Sequence, residues 1–548
     1  MTSEEKNQIK KKSVKDQRTL AKNSFYSYLG SYSNYILALV TSFLLARMIS
    51  ISSWGYLVTA TAIISIFTFI LGYLPPGLTD SLNYYIPRYK TLKQMNILRS
   101  FILYSVYTKL LIELVVFFVI ITIFICFSGF FMISLNGFVH VLFILAPLML
   151  ITNLFNFLRS IHIGFGRFKF NYIISIIKFI INAGLLFLLF LFDENVTIEK
   201  IAVINILTVF YPLLISFLVF YFGFLKIKKT DESPLKYKEF FSTAVKYGGF
   251  VSIDTLSSNI WGEAKKVVTN VFVSEEMTLG YSIAKRYTEV VTLSISSFTT
   301  PLLVSFSSLS SKNETTKISK IYKLYFKYSF FLISIVSGIL FVLADFFLFF
   351  VYGEDFLVFS FLLKLFIFTL IFNPIGNLFL VGLKSINKVK LIPVIDMILF
   401  SIRITAFLIG IIFFGIYGAL IGLIISRFII FLLLYYFSWK ILNIKLDLVK
   451  IFFQFLIFFS SLFGALIIGD LLLNELYFNI LEFFNLSYFS YINLFTLGIF
   501  LVLFLFLNFF FKIITRNDIE NIESILTKEK LRYKIVRKVL QKLKTIAR

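Results

Sequence analysis

From residue 24 to residue 511 the sequence is a near-continuous train of apolar stretches separated by short polar loops. A helix needs about 20 consecutive apolar residues to cross the hydrocarbon core of a bilayer. There is no water in that core, so the backbone must bond to itself, and helices do so within one segment. This feature excludes a soluble enzyme, a disulfide scaffold and a disordered chain together. Composition agrees, with 59% apolar and only 15% charged residues, 72 of the residues being Phe. We read fourteen spans, and the expected fold class is an all-α polytopic membrane protein. The single Cys, Cys126, leaves no internal disulfide and no Cys-based metal site. His140 and His162 are far apart, and packing or interfacial roles suit them better than ligation.

The charges set the topology. Basic residues gather in the first 23 residues, at Arg88, Lys90, Lys93 and Arg99, and at Arg159, Arg167 and Lys169. They recur over 226–238, at 312–327, at Lys384, Lys388 and Lys390, at Lys440, Lys445 and Lys450, and beyond Lys512. The intervening loops carry the acids instead, such as Asp193, Glu199, Glu275, Glu354, Asp355 and Glu482. Lys and Arg are retained on the cytoplasmic side of membrane proteins, so both termini are expected inside a cell membrane. The net charge of +24 is then a topology signal. Spread over eight inner segments, it does not make a nucleic-acid surface. No apolar h-region lies near Met1, so no cleavable signal peptide is expected. The 512–548 tail places Leu531, Ile535, Val539, Leu543 and Ile546 at helical spacing among Lys and Arg. That pattern suits an amphipathic helix on anionic lipid.

The chain also repeats itself. At a shift of 225, Ser33-Asn34 falls on Ser258-Asn259, Gly55-Tyr56 on Gly280-Tyr281, and Pro76 on Pro301. At a shift of 221, Arg167 and Lys169 fall on Lys388 and Lys390. Six spans per repeat is an even number, so the repeats run parallel. The expected order is a cytoplasmic tail (1–23), an N-lobe of spans 1–6 (24–225), and a cytoplasmic linker (226–240). A C-lobe of spans 7–12 (241–437), two extra spans (450–511) and the basic tail (512–548) follow.

Polar stripes cross the expected seventh and eighth spans. Ser252, Thr255, Asn259, Glu263, Lys266 and Asn270 are spaced 3, 4, 4, 3, 4, which is one helix face;. Ser282, Lys285, Glu289, Thr292, Ser296 and Thr299 repeat the pattern, with Arg286 beside them. Ionisable groups in hydrocarbon normally face a cavity or a partner. With the turn near residue 276, Lys266 is expected level with Arg286 and Glu263 level with Glu289. Three readings suit Lys265, Lys266, Lys285 and Arg286: an anion site for phosphate oxygens, Lys–Glu pairs locking the helices, or snorkelling. Asn34, Asn259, Glu263, Glu289 and Arg403 are expected to line the cavity. Lys109 and Glu113, four apart, are expected to pair. Lys178 with Asn182, and Asp396 with Arg403, are further cavity candidates. Lys246, Lys364 and Arg427 suit a membrane edge. Asp254, Asp345 and Asp470 could hold a coupling cation, although the sequence shows no partner set for them.

Short motifs add a resemblance. Gly-Phe-Gly-Arg-Phe-Lys at 164–169, Trp261-Gly-Glu-Ala-Lys-Lys266, Leu279-Gly-Tyr-Ser-Ile-Ala284, Tyr352-Gly353 and Phe414-Gly-Ile-Tyr-Gly-Ala-Leu420 carry it. Over roughly 20–511 the chain resembles the polysaccharide-biosynthesis and oligosaccharide-lipid flippases of the multidrug/oligosaccharidyl-lipid/polysaccharide exporter superfamily. The resemblance implies a transporter, not an enzyme and without a cofactor. It implies that a polyprenyl- or dolichyl-linked oligosaccharide crosses the membrane by alternating access, with cavity cations holding its phosphates. An ion gradient or the membrane potential would drive it. Relatives often place basic residues in the N-lobe cavity too, whereas the first span here has only Arg47. Two other functions compete. A multidrug/cation antiporter of the same superfamily would want acidic cavity residues. A membrane glycosyltransferase would want larger exterior loops than the roughly 15 residues of 473–487.

Overall fold

A computed structural model describes the backbone of residues 38–129, 139–193, 195–226, 233–296, 314–386, 391–480 and 488–511, with isolated residues between them. The described chain is helical, as expected. Among the described residues, eight helices are long and apolar enough to cross a membrane. The expected fourteen spans and these eight helices differ for local reasons. Ala38–Met48 (α1) is a shorter apolar helix. Tyr237–Phe272 (α9) and Glu275–Ser296 (α10) are long, but the polar stripes lower their apolar character. The expected tenth span is broken into Ser360–Phe368 (α13) and Pro374–Ser385 (α14). Pro374 has no N–H to continue the ladder of α13 and sits where a helix tolerates it, in a first turn.

Contacts divide the chain into two compact units. One is Met1–Ser282 with Ile411–Ile416, and the other is Ile283–Gly410 with Tyr417–Arg548. α9 packs in the first unit, along Ile51–Tyr73 (α2).

In the first unit Ser50 caps α2, its hydroxyl accepting from Ser53 N at 3.2 Å. α2 ends where two prolines follow, and Gly77 takes φ 73°, a region that favours glycine;. The chain leaves in a new direction as Leu78–Thr91 (α3). Leu78, Leu82 and Ile86 are spaced by four and fully buried, while Tyr84, Arg88 and Lys90 are exposed. That face packs on Leu98, Phe101 and Ile102 of Met95–Cys126 (α4), and on Phe157, Leu158 and Ile161 of Pro147–Gly164 (α6). Phe240 and Ala244 of α9 complete this core. Val139–Leu145 (α5) runs into α6 at Ala146 and Pro147. Phe168–Phe192 (α7) and Ile198–Leu225 (α8) join α6 through Phe155, Ile174 and Val209.

In the second unit Thr315–Val342 (α11) is the hub, touching α13, α14, Leu448–Ile480 (α16) and Tyr488–Phe510 (α17). Its rings join a Phe cluster, with Phe330 and Phe455 at 4.8 Å and Phe372 and Phe455 at 5.3 Å between centroids. Ala344–Tyr352 (α12) and a 3-10 turn, Glu354–Phe359, lead into α13. Leu391–Leu442 (α15) is a helical hairpin turned by Gly415 at φ 62°, where the sequence places the loop between spans eleven and twelve. Its arms touch through backbone. A Cβ on Gly410 would lie 2.2 Å from Gly418 O, and one on Gly422 2.2 Å from Ala406 O.

Candidate functional site

On the polar stripe of α9, Lys266 finds a partner on its own helix. Lys266 Nζ donates to Glu263 Oε2 at 2.5 Å, one helical turn away. Lys285 pairs in the same way with Glu289 on α10, at 3.6 Å. Lys265 sits 6.0 Å over the Tyr281 ring. The hairpin register differs from the expected one. The turn is at 273–274 rather than 276, and Thr278 Oγ1 donates to Lys266 O at 3.4 Å. Residues 278–281 are therefore level with the two lysines. Arg286 lies about five residues further along α10, or ~7 Å at ~1.5 Å per residue. Of the expected cavity residues, Asn259 is exposed, Glu289 is 40% exposed and Arg403 Nε donates to Leu399 O at 3.2 Å. Asn34 lies outside the described residues, as do the 1–23 and 512–548 tails but for isolated positions.

The α1–α2 and α10 ends meet at a close contact. Ser52 Oγ donates to Glu275 Oε1 at 2.9 Å, and a Cβ on Gly55 would lie 2.2 Å from Glu275 O. The α1–α2 turn near Ser50 and the α9–α10 turn at 273–274 are one repeat apart in sequence. Burial pushes the Glu275 carboxyl up, but its own backbone N–H and the Ser52 and Tyr56 hydroxyls outweigh this and hold it below the usual range.

A second group of cations lies between α6 and α7. Arg159 and Lys178 are near enough for their charges to act on each other. Neither has an ion-pair partner among the described residues. Arg159 Nε, Asn171 Nδ2 and His162 Nδ1 are all buried without a hydrogen-bond partner. His162 Nε2 lies 3.2 Å from Ser216 O and its ring packs on Phe170, in keeping with a packing role. Asn182 extends the polar line, receiving from Thr41 at 2.9 Å and donating to Thr208 at 3.0 Å. The sequence signal is the spacing Asn171, Ser175, Lys178, Asn182 on α7. In sequence Arg159 reads only as an inner-loop charge.

Other charges found partners that the sequence did not reveal. Asp345 bonds Lys364 at 2.7 Å and also Ser360, so Lys364 is paired rather than left at an edge. Arg427 donates to Asn373 Oδ1 at 2.9 Å. His140 Nε2 and Glu199 Oε1, in the first turns of α5 and α8, are 2.5 Å apart, so this exposed His is paired with a carboxylate. No group of three or more His, Cys, Asp or Glu able to hold a metal occurs among the described residues.

Many apolar helices, a glycine-packed hairpin and internal charged stripes define a polytopic α-helical membrane protein. Solved structures agree on the fold. The chain is similar to an inward-facing multidrug-resistance MATE family transporter of the MOP superfamily, at 15% identity and TM-score 0.61. The match covers 74% of this chain and 94% of that one. An outward-facing MATE transporter matches at 14% identity and TM-score 0.55, over 78% and 95% of the two chains. A MOP superfamily transporter from Pyrococcus furiosus, whose binding pocket is described as having reverse polarity, matches at 15% identity and TM-score 0.54. It covers 78% and 95%. No curated protein matches the chain in sequence. The family match is direct. Residues 20–310 fit the family described as Polysaccharide biosynthesis protein, and the chain belongs to that family.

Proposed function

We propose that the protein is a flippase that moves a lipid-linked oligosaccharide across the cell membrane by alternating access of two repeat-related lobes, 24–225 and 241–437. Both termini are cytoplasmic in this reading, and the cargo's carrier is a polyprenyl or dolichyl phosphate or pyrophosphate. The observation that carries it is Arg159 with Lys178, two half-buried cations with no acid beside them among the described residues. Such a pair leaves positive charge for a phosphate, whose oxygens accept charge-assisted hydrogen bonds stronger than neutral ones. A cation cargo would want the opposite sign, which disfavours the multidrug antiporter. Lys265, Lys266, Lys285 and Arg286 are proposed as a further set of phosphate contacts. For Lys266 and Lys285 the cargo must displace Glu263 and Glu289, and those acids re-pair with the lysines when it leaves. That exchange keeps the site from holding its cargo too tightly.

Two variants test the assignment, Arg159→Gln with Lys178→Gln, and Lys266→Gln with Arg286→Gln. Each should abolish glycan export while the protein still reaches the membrane. Normal export in the first variant would remove the phosphate assignment at α6–α7. The flippase reading itself fails if deleting the gene neither depletes lipid-linked sugar outside nor accumulates it inside.

A further inference from the structure

A buried ion pair on α4 lies apart from the proposed cargo contacts. Lys109 and Glu113 are each 1% exposed, with Nζ and Oε1 3.1 Å apart. Lys109 makes its hydrogen bonds elsewhere. Its Nζ donates to the carbonyl oxygens of Leu71 at 2.9 Å, Gly72 at 3.3 Å and Leu74 at 2.8 Å. These carbonyls close α2, where the last four C=O groups of a helix lack an i+4 partner; Leu71 O also accepts from Leu74 N at 3.1 Å;. A cation there also meets the negative end of the helix dipole. Lys109 thus caps α2 from a different helix, immediately before the chain turns through Pro75, Pro76 and Gly77 into α3. Asn153 of α6 supports the same end, its Nδ2 donating to Thr68 O at 3.0 Å.

An ammonium has three N–H groups, and here four acceptors compete for them. Apart from the Lys109 ammonium at 3.1 Å, which is shared with three carbonyls, neither oxygen of Glu113 has a hydrogen-bond partner. A buried carboxylate with so few donors is costly, and binding a proton removes the charge that makes it so. Lys109 is the charged group whose field acts on Glu113. The neighbouring helices bring no second one to it among the described residues. α2 carries no ionisable charge, and Arg88 and Lys90 are exposed at the far end of α3. The side chain of Asp80 on α3 is outside the described residues. On α6, Arg159 has the like-charged Lys178 as its charged neighbour, and His162 Nε2 lies 3.2 Å from Ser216 O. From α9, the Tyr237 hydroxyl lies 3.2 Å from Thr108, the residue before Lys109.

We propose that Glu113 is a proton-binding site that controls the break between α2 and α3. With the proton on a Glu113 oxygen, Lys109 gives all its N–H groups to Leu71, Gly72 and Leu74, and the break is locked. When the proton leaves to water, the carboxylate draws Lys109 toward itself. The carbonyls of α2 lose their cap, and α3 is free to change its angle to α2. The ligand is the proton alone, and the switch requires no cargo.

The test is hydrogen exchange of the full-length protein in lipid nanodiscs, read over residues 72–82 and corrected for the chemical exchange rate at each pH. Protection should fall about tenfold or more between pH 5 and pH 8, the effect of a one-unit difference in proton affinity between the two states. Glu113→Gln should stay protected at every pH, Glu113→Asp should keep the response, and Lys109→Met should be unprotected throughout. If Lys109→Met does not fold, the Gln and Asp variants decide the matter. A flat profile in the parent protein, a pH response that survives in Glu113→Gln, or locking by sodium at constant pH would each overturn the proposal.

Discussion

Replacing Gly55 by Ala should open the contact between α2 and the start of α10. The new Cβ would lie 2.2 Å from Glu275 O, 2.5 Å from its carbonyl carbon and 3.0 Å from its Cβ. Ordinary contact begins at 3.4 Å, so the two backbones must part by at least 1.2 Å, the difference between 3.4 and 2.2 Å. No rotamer change relieves this, because the nearest obstructing atoms are backbone. Overpacking of this kind costs about 1–3 kcal/mol. Ala is also the better helix former, by about 1 kcal/mol, but that gain is common to the closed and open arrangements and cancels in their ratio. The closed arrangement should therefore lose about 5–150-fold in population. The assay is cross-linking of a Ser52→Cys, Glu275→Cys pair by a short bis-thiol reagent in a Cys126→Ser background. Ser52 Oγ and Glu275 Oε1 are 2.9 Å apart, and a Cys at 275 is shorter than the Glu, so the reagent bridges the difference. The pair is compared with and without Gly55→Ala. Both proteins lack the native hydrogen bond, so the comparison isolates the clash. Cross-linking at the same rate whether or not Gly55→Ala is present would refute the reasoning.

Glu275 should make the same contact sensitive to acid. Its carboxyl is held below the usual range, so its contribution is complete above ~4.3, the ordinary glutamate value, and is lost as pH falls through the depressed value;. Melting of the parent protein should show this acid limb and Glu275→Gln should lack it; identical acid limbs would count against the Ser52 and Tyr56 bonds. Gly422→Ala should lower the melting temperature, because a Cβ there would meet Ala406 O at 2.2 Å, whereas Gly184→Ala on α7, with nothing within 4 Å, should not. Equal effects at the two glycines would mean that the α15 hairpin is looser than its backbone contacts indicate.

The sequence by itself determined whatever depends on one helix. Apolar length and composition set the membrane class, and the 3.6-residue period put the α9 stripe, and Lys109 with Glu113, each on one face. The Phe414-Gly415 loop between two apolar arms located the α15 turn to the residue. What passes between helices was decided only by the tertiary structure. A turn two or three residues earlier than expected moves every level in a hairpin, so Lys266 sits beside Thr278 and not Arg286. Glu263 reaches Lys266 on its own helix because i,i+3 neighbours are already close, whereas a cross-helix pair depends on that register;. Arg159 and Lys178 lie 19 residues apart on different helices, and no spacing rule joins them. Lys109 likewise finds carbonyls 35 to 38 residues back. Backbone oxygens carry no sequence signature, so the capping role of Lys109 shows only where α2 stops and α4 packs beside it.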